Sequence, residues 1–284
     1  MIKKIGFVLA LMWVSFLFAQ DFSLFKKFRF SQGEQTLPYR VLLPENFDPE
    51  KKYPLVIFLH GRGESGNDNE KQLTHGAKLF LNDSNRKDFP AIVVFPQCPE
   101  DSYWSNVQIV SDDTGKRTFY FTNNDAPTKA MLLLSGLFGN LQKQYNIKQD
   151  QIYIMGLSMG GMGTFELVNR KPGVFAGAIA ICGGAEPSTA SNLKATNWWV
   201  FHGGKDDVVP SGFSDAIVKA MKSNGVKVKY TFYPGANHNS WDSAFAEPDL
   251  SQPDDLPNNQ TKKTNYLSVC IIQTRRAQSP RRFF

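Results

Sequence analysis

Apolar residues fall along this chain in two kinds of block. Near-continuous runs at 55–59, 91–95, 152–155, 178–181 and 198–201 alternate with stretches whose apolar positions recur every three or four residues. Runs of four or five apolar residues suit strands covered on both faces. A sixth run, 226–233, keeps the alternation Val226, Val228, Tyr230, Phe232, as a strand nearer a sheet edge would. Ahead of them, residues 24–30 and 36–43 flank the turn-forming Ser31-Gln32-Gly33 and predict an antiparallel pair. The clearest helix is predicted over 128–145, where Met131, Leu134, Leu137, Phe138 and Leu141 share one face. A second is predicted over 211–223, with Phe213, Ile217, Ala220 and Met221 as its stripe and Gly225 as its stop signal.

Strands alternating with helices imply an α/β fold: a mostly parallel sheet of about eight strands with helices on both faces. Two pieces break the rhythm, residues 102–125, which can hold a hairpin across 113–116, and everything after Leu250. No linker, internal repeat or low-complexity tract divides the rest, so a single domain is expected over 20–250. Residues 251–284 are polar and basic apart from an apolar cluster at 266–272, and predict a poorly ordered tail.

The start of the chain reads as an address. Lys3 and Lys4 precede an apolar run ending at Ala19, which predicts a cleaved leader over 1–19 and a secreted or periplasmic protein. The run is shorter than the roughly 20 residues of a spanning helix, so no stable membrane span is expected once it is removed. With 42% hydrophobic and 20% charged residues, the chain can bury a large core. Lysine and arginine exceed the acids by six, but they are scattered or gathered near the C-terminus, which does not describe a nucleic-acid surface. Three cysteines, Cys98, Cys182 and Cys270, show no metal or redox spacing. Oligomeric state is not legible.

The chemistry concentrates at strand ends. Gly156-Leu157-Ser158-Met159-Gly160 follows the strand at 152–155 and precedes a helix-compatible stretch at 159–169. A serine forced onto so tight a turn needs small neighbours, and glycines flank it; Ser158 is the candidate nucleophile. A hydroxyl needs a base to take its proton, and that base needs a carboxylate behind it. The strand at 198–201 runs into His202-Gly203-Gly204-Lys205-Asp206-Asp207, and the last strand runs into Pro234-Gly235-Ala236-Asn237-His238. All three loops leave the same edge of a parallel sheet, where such sheets place their sites. His238 is the candidate base. An oxyanion hole needs backbone N–H donors, expected from Met159 and from the turn His60-Gly61-Arg62-Gly63, with Arg62 preferred and Gly61 next. No metal or cofactor is called for.

Together these motifs resemble the α/β-hydrolase superfamily, and more narrowly the secreted bacterial esterases near carbohydrate esterase family 1, the polyhydroxybutyrate depolymerases and the predicted peptidases. The resemblance runs from about Tyr39 to Trp241 and includes Pro96-Gln97-Cys98-Pro99 with Tyr103-Trp104. It implies an acyl-serine mechanism on carboxylic esters, whether of small molecules or of acetyl or feruloyl groups on plant polysaccharide. In the resembling families the acid lies four residues after the His of His-Gly, which selects Asp206 over Asp207. Trp104 becomes a candidate wall of the acyl pocket, with a buried structural role as the alternative. The implied strand order sets two strands between those carrying Cys98 and Cys182, too far for a disulfide. Two rivals remain: a serine peptidase of the same fold, and a non-catalytic binding module.

Overall fold

The computed structural model describes residues 22–115, 117–123 and 126–247. The leader expected at 1–19, the tail expected at 251–284 and Cys270 lie outside the described residues.

The expected opening pair forms. β1 (Lys26–Gln32) and β2 (Gln35–Leu42) are antiparallel, with Phe28 opposite Tyr39 and Phe30 opposite Leu37. The apolar runs become β3 (Tyr53–Leu59) and β4 (Ile92–Pro96), separated by α1 (Ala77–Leu81) and α2 (Asp83–Asp88). The irregular segment then folds into a separate hairpin, β5 (Val107–Ser111) and β6 (Arg117–Phe121), with Ile109 opposite Phe119. The remaining run is α3 (Lys129–Gln144), β7 (Ile147–Leu157), α4 (Met159–Arg170), β8 (Gly177–Ile181), β9 (Asn197–Gly203), α5 (Gly212–Ser223), β10 (Val228–Tyr233) and α6 (Trp241–Phe245).

Eight strands make one sheet in the order β1-β2-β4-β3-β7-β8-β9-β10. From β4 to β10 every pairing is parallel, while β2 runs antiparallel to both of its neighbours. Alternation along each strand sorts the core into two layers. Leu55, Ile57, Ile154, Ala180 and Val200 join the layer of α3, α4 and α5; Val56, Phe58, Met155, Ile181 and Phe201 join that of α1 and α6. A sheet buried on both faces reads as continuous apolar runs for this reason.

The differences from expectation are local and have causes. β10 begins at Val228 because Gly225, at φ +71°, ends α5 in the left-handed conformation and the Val226 amide bonds back to the Met221 carbonyl. The buried face of α5 is Ser214, Ile217, Val218 and Met221, whereas Phe213 turns to pack against Phe119 and Phe121 of the hairpin. Cys98 and Cys182 are both free and buried, with β3 and β7 between their strands.

The strand order also locates a crevice. The chain leaves β3 for β4 on one side, yet β7 pairs on the other, and the loops after β3 and β7 diverge at this switch. Residues 60–64 and Ser158 sit there.

Candidate active site

Ser158 occupies the turn between β7 and α4 at φ 53°, ψ −120°, a conformation that L residues avoid. The surroundings enforce it. The Ser158 amide bonds to the Ile181 carbonyl at 2.8 Å, and its carbonyl receives the Met162 amide at 3.0 Å. A Cβ at Gly160 would overlap the Leu59 carbonyl oxygen, so only glycine lets α4 start this close to β3.

The three residues expected to act together meet. Ser158 Oγ lies 2.9 Å from His238 Nε2, and His238 Nδ1 lies 2.8 Å from Asp206 Oδ2. A carboxylate can only accept, so Nδ1 carries the proton and Nε2 offers its lone pair to the serine hydroxyl. The second carboxylate oxygen, Oδ1, accepts the amides of Val208 at 3.0 Å and Val209 at 2.8 Å. Burial pushes the Asp206 carboxyl up, but hydrogen bonds from His202, His238 and the Val209 amide outweigh it and hold the group well below the ordinary carboxylate range. Asp207 is exposed beside the buried Asp206.

Facing Ser158, residues Arg62–Glu64 form one turn of 3-10 helix with Gly61 as N-cap. As the first residue of that turn, Arg62 has an amide with no intrahelical acceptor, and the same holds for Met159 at the start of α4. The Gly61 amide faces the Glu64 carboxylate, which leaves Arg62 the freer of the two donors. The turn is tethered to the Pro-Gln-Cys-Pro stretch: the Arg62 guanidinium donates to the carbonyls of Glu100 at 2.6 Å and Ser102 at 3.0 Å, and Gln97 Nε2 donates to the Glu64 carbonyl at 3.1 Å.

His60 completes the tether. Its Nδ1–H donates to the Gly61 carbonyl at 2.6 Å and its Nε2 accepts the Cys98 amide at 2.9 Å. The ring is fully buried, which lowers its pKa to about 4 and keeps it neutral. Protonation at Nε2 would break the Cys98 bond. The sign follows from linkage: between about 4 and 6.5 the unfolded chain binds the proton and the folded chain does not, so stability rises with pH across that window. On acidification the expected loss is on the order of 3 kcal/mol. Urea midpoints at pH 7 and pH 4.5 check this, because His60→Gln should show a flatter dependence than the wild type.

A cleft of about 470 Å³ opens over Ser158. The hairpin lines it with Ile109, Arg117 and Phe119, Tyr103 and Val209 add to that surface, and Glu64, His75 and Trp241 also contribute. Trp241 meets the His238 ring edge-on at 5.4 Å and contacts His75 at 5.1 Å. Trp104 is a correction: it is fully buried in the core, beside His60 and against Gly163, and does not line the cleft. Its neighbour Tyr103 does. His75 lines the cleft from the turn just before α1. Arg117 and Trp241 carried no signal beyond the irregularity of the hairpin segment and nearness to His238.

Cys182, at φ 43°, places its sulfur within 4.8 Å of the Asp206 and His238 side-chain donors. Metal ligation would need its thiolate, and burial, reinforced by Asp206, pushes its pKa upward. The set is ill suited to a metal.

A strained serine after a parallel strand, hydrogen-bonded to a histidine that a buried carboxylate holds, on an eight-stranded mixed sheet, defines an α/β-hydrolase. The phospholipase/carboxylesterase family matches residues 47–247, and the chain belongs to that family. A solved thermostable esterase is 35% identical with a TM-score of 0.70, over 80% of this chain and 61% of its own. A bifunctional acetylxylan esterase/xylanase of Neocallimastix patriciarum is 28% identical over 170 residues, 60% of this chain and 21% of that protein. The chain therefore spans only about a fifth of that relative's length. A CE1 ferulic acid esterase from Anaeromyces mucronatus shares the fold at 18% identity, with a TM-score of 0.58 over 78% of this chain and 86% of its own.

Proposed function

We propose that this protein is a serine hydrolase that cleaves carboxylic esters through an acyl-serine intermediate. The observation that carries the reading is the unbroken chain from Ser158 Oγ through His238 to Asp206, opening into the cleft. As Oγ attacks the ester carbonyl, His238 Nε2 takes its proton and the carbonyl oxygen becomes an oxyanion. The amides of Met159 and Arg62 face that charge, aided by the positive end of α4. Collapse breaks the bond to the alcohol oxygen, which leaves with the proton from His238. Water then repeats the sequence: His238 removes its proton, the acyl–serine bond breaks, and a carboxylic acid departs with Ser158 restored.

The substrate class we infer is an acetyl or feruloyl ester, free or on plant polysaccharide. Tyr103, Phe119, Ile109 and Val209 give the cleft an apolar surface suited to an acyl group. We further propose that the leader directs the protein to the periplasm or medium, where such polymers are met. A fluorophosphonate probe, followed by a screen over p-nitrophenyl acetate, methyl ferulate, acetylated xylan and peptide p-nitroanilides, tests the reading. Labelling of Ser158 with ester turnover is expected. Turnover of anilides alone would make the protein a peptidase, and no labelling would leave a binding module.

A further inference from the structure

We propose that His202 is a positioning residue for ester hydrolysis, a second buried histidine that clamps the Asp206 carboxylate from behind and sets how strongly it supports His238. The inference rests on the assignment of Ser158, His238 and Asp206 made above. The imidazole of the His-Gly pair at the end of β9 is fully buried and bonded on both nitrogens.

The bonding fixes the direction of donation. His202 Nε2 lies 2.8 Å from the Val209 carbonyl and 3.1 Å from Asp206 Oδ2. Both are acceptors, so Nε2 carries a proton. On the other side, Nδ1 is 2.7 Å from Ser214 Oγ of α5, which is itself 3.0 Å from the Gly183 carbonyl after β8. The imidazole is therefore anchored to two neighbouring elements. The carboxylate accepts three N–H groups, His238 at Oδ2 and Val208 and Val209 at Oδ1, and the His202 Nε2–H, bonded to the Val209 carbonyl, lies against Oδ2 at 3.1 Å.

Two consequences follow for the reaction. A carboxylate saturated on both oxygens cannot rotate, so the plane of His238 is set before substrate arrives. His202 also helps hold Asp206 ionised, so that its charge is present for the imidazolium that forms at His238 during attack. The charged or titratable groups beside this pair are Asp206 and the Cys182 thiol, which burial keeps neutral; Ser214 and the Gly183 and Val209 carbonyls carry no charge. Removing His202 frees the Asp206 carboxylate to turn, so His238 is misaligned for proton transfer and kcat falls while KM is held. A histidine that merely filled space would leave kcat alone and would need no donor to be replaced.

The test compares His202→Leu, which fills the space without a donor, with His202→Gln, whose amide reaches Asp206. Steady-state kinetics on an ester that the wild type hydrolyses and the rate of fluorophosphonate labelling are both measured at neutral pH. His202→Leu is expected to lose about 10- to 100-fold in kcat with KM within about threefold. His202→Gln should recover most of the rate. Should His202→Leu not fold, His202→Asn serves in its place, since it still meets Ser214 and cannot reach Asp206. Wild-type kcat in the donor-free variant, or an equal loss in His202→Gln, overturns the proposal, even if the melting temperature falls. Ser158→Ala separates the two levels: if it still turns over, the underlying assignment fails, and if it is inert while His202→Leu behaves as wild type, only this inference fails.

Discussion

Ser158→Ala is expected to fold normally and to lose on the order of 10⁶ in kcat, the scale seen when a serine nucleophile is removed. The substitution deletes one oxygen from a residue whose backbone is held by the Ile181 carbonyl and the Met162 amide, neither of which involves the side chain. Alanine accepts the same strained turn no worse than serine, so stability should change by about 1 kcal/mol or less. Among the described residues the hydroxyl bonds to His238 Nε2 alone, and its loss leaves that nitrogen facing the open cleft rather than a buried void. The oxyanion donors and the cleft survive and leave a residual rate of roughly 10³ to 10⁴ over water. Circular dichroism with ester turnover measures both halves, and wild-type turnover in a folded Ser158→Ala protein would sink the mechanism.

The second large effect separates two adjacent carboxylates. Asp206→Asn should cost on the order of 10⁴ in kcat, and Asp207→Asn less than about twofold. An asparagine at 206 can keep the Val208 and Val209 amides on its oxygen, which turns its NH₂ toward both histidines. Facing a donor, His238 Nδ1 becomes the acceptor and the proton moves to Nε2, where it can no longer take one from Ser158. The enzyme would hold the wrong tautomer with little change in shape. Asp207, exposed one residue on, carries no such duty, and its replacement should cost about 1 kcal/mol or less. Side-by-side kcat values decide the matter: a near-normal Asp206→Asn beside a crippled Asp207→Asn would reverse the assignment.

Much of this was legible in the order of residues, because its causes are local. A strand buried on both faces has to be apolar throughout, and the runs at 55–59 and 152–155 announced β3 and β7. Thr128 caps α3 by accepting the Met131 amide, and the face written by Met131, Leu134 and Leu137 is the one buried. The hairpin turn and the glycines around Ser158 are short-range demands of backbone geometry. Chain order then brought serine, acid and histidine to one sheet edge, since every parallel strand points the same way.

What the sequence could not decide is who meets whom across that edge. Trp104 and Tyr103 are chemically near-equivalent neighbours, and only the packing of Trp104 against Gly163 settled which one is core and which one faces substrate. His75 and Trp241, far apart in the chain, meet beside His238 because α1 and α6 cover the same face of the sheet. His202 reads as a strand-end residue until Ser214 from α5 and Asp206 from its own loop close around it. By itself the sequence determined the strands, the tight turn at Ser158 and the three candidate residues, each encoded within a few positions. The cleft lining, the engagement of His202 and the choice between adjacent residues were decided by the tertiary structure, since they depend on distances between segments that touch only after the sheet has formed.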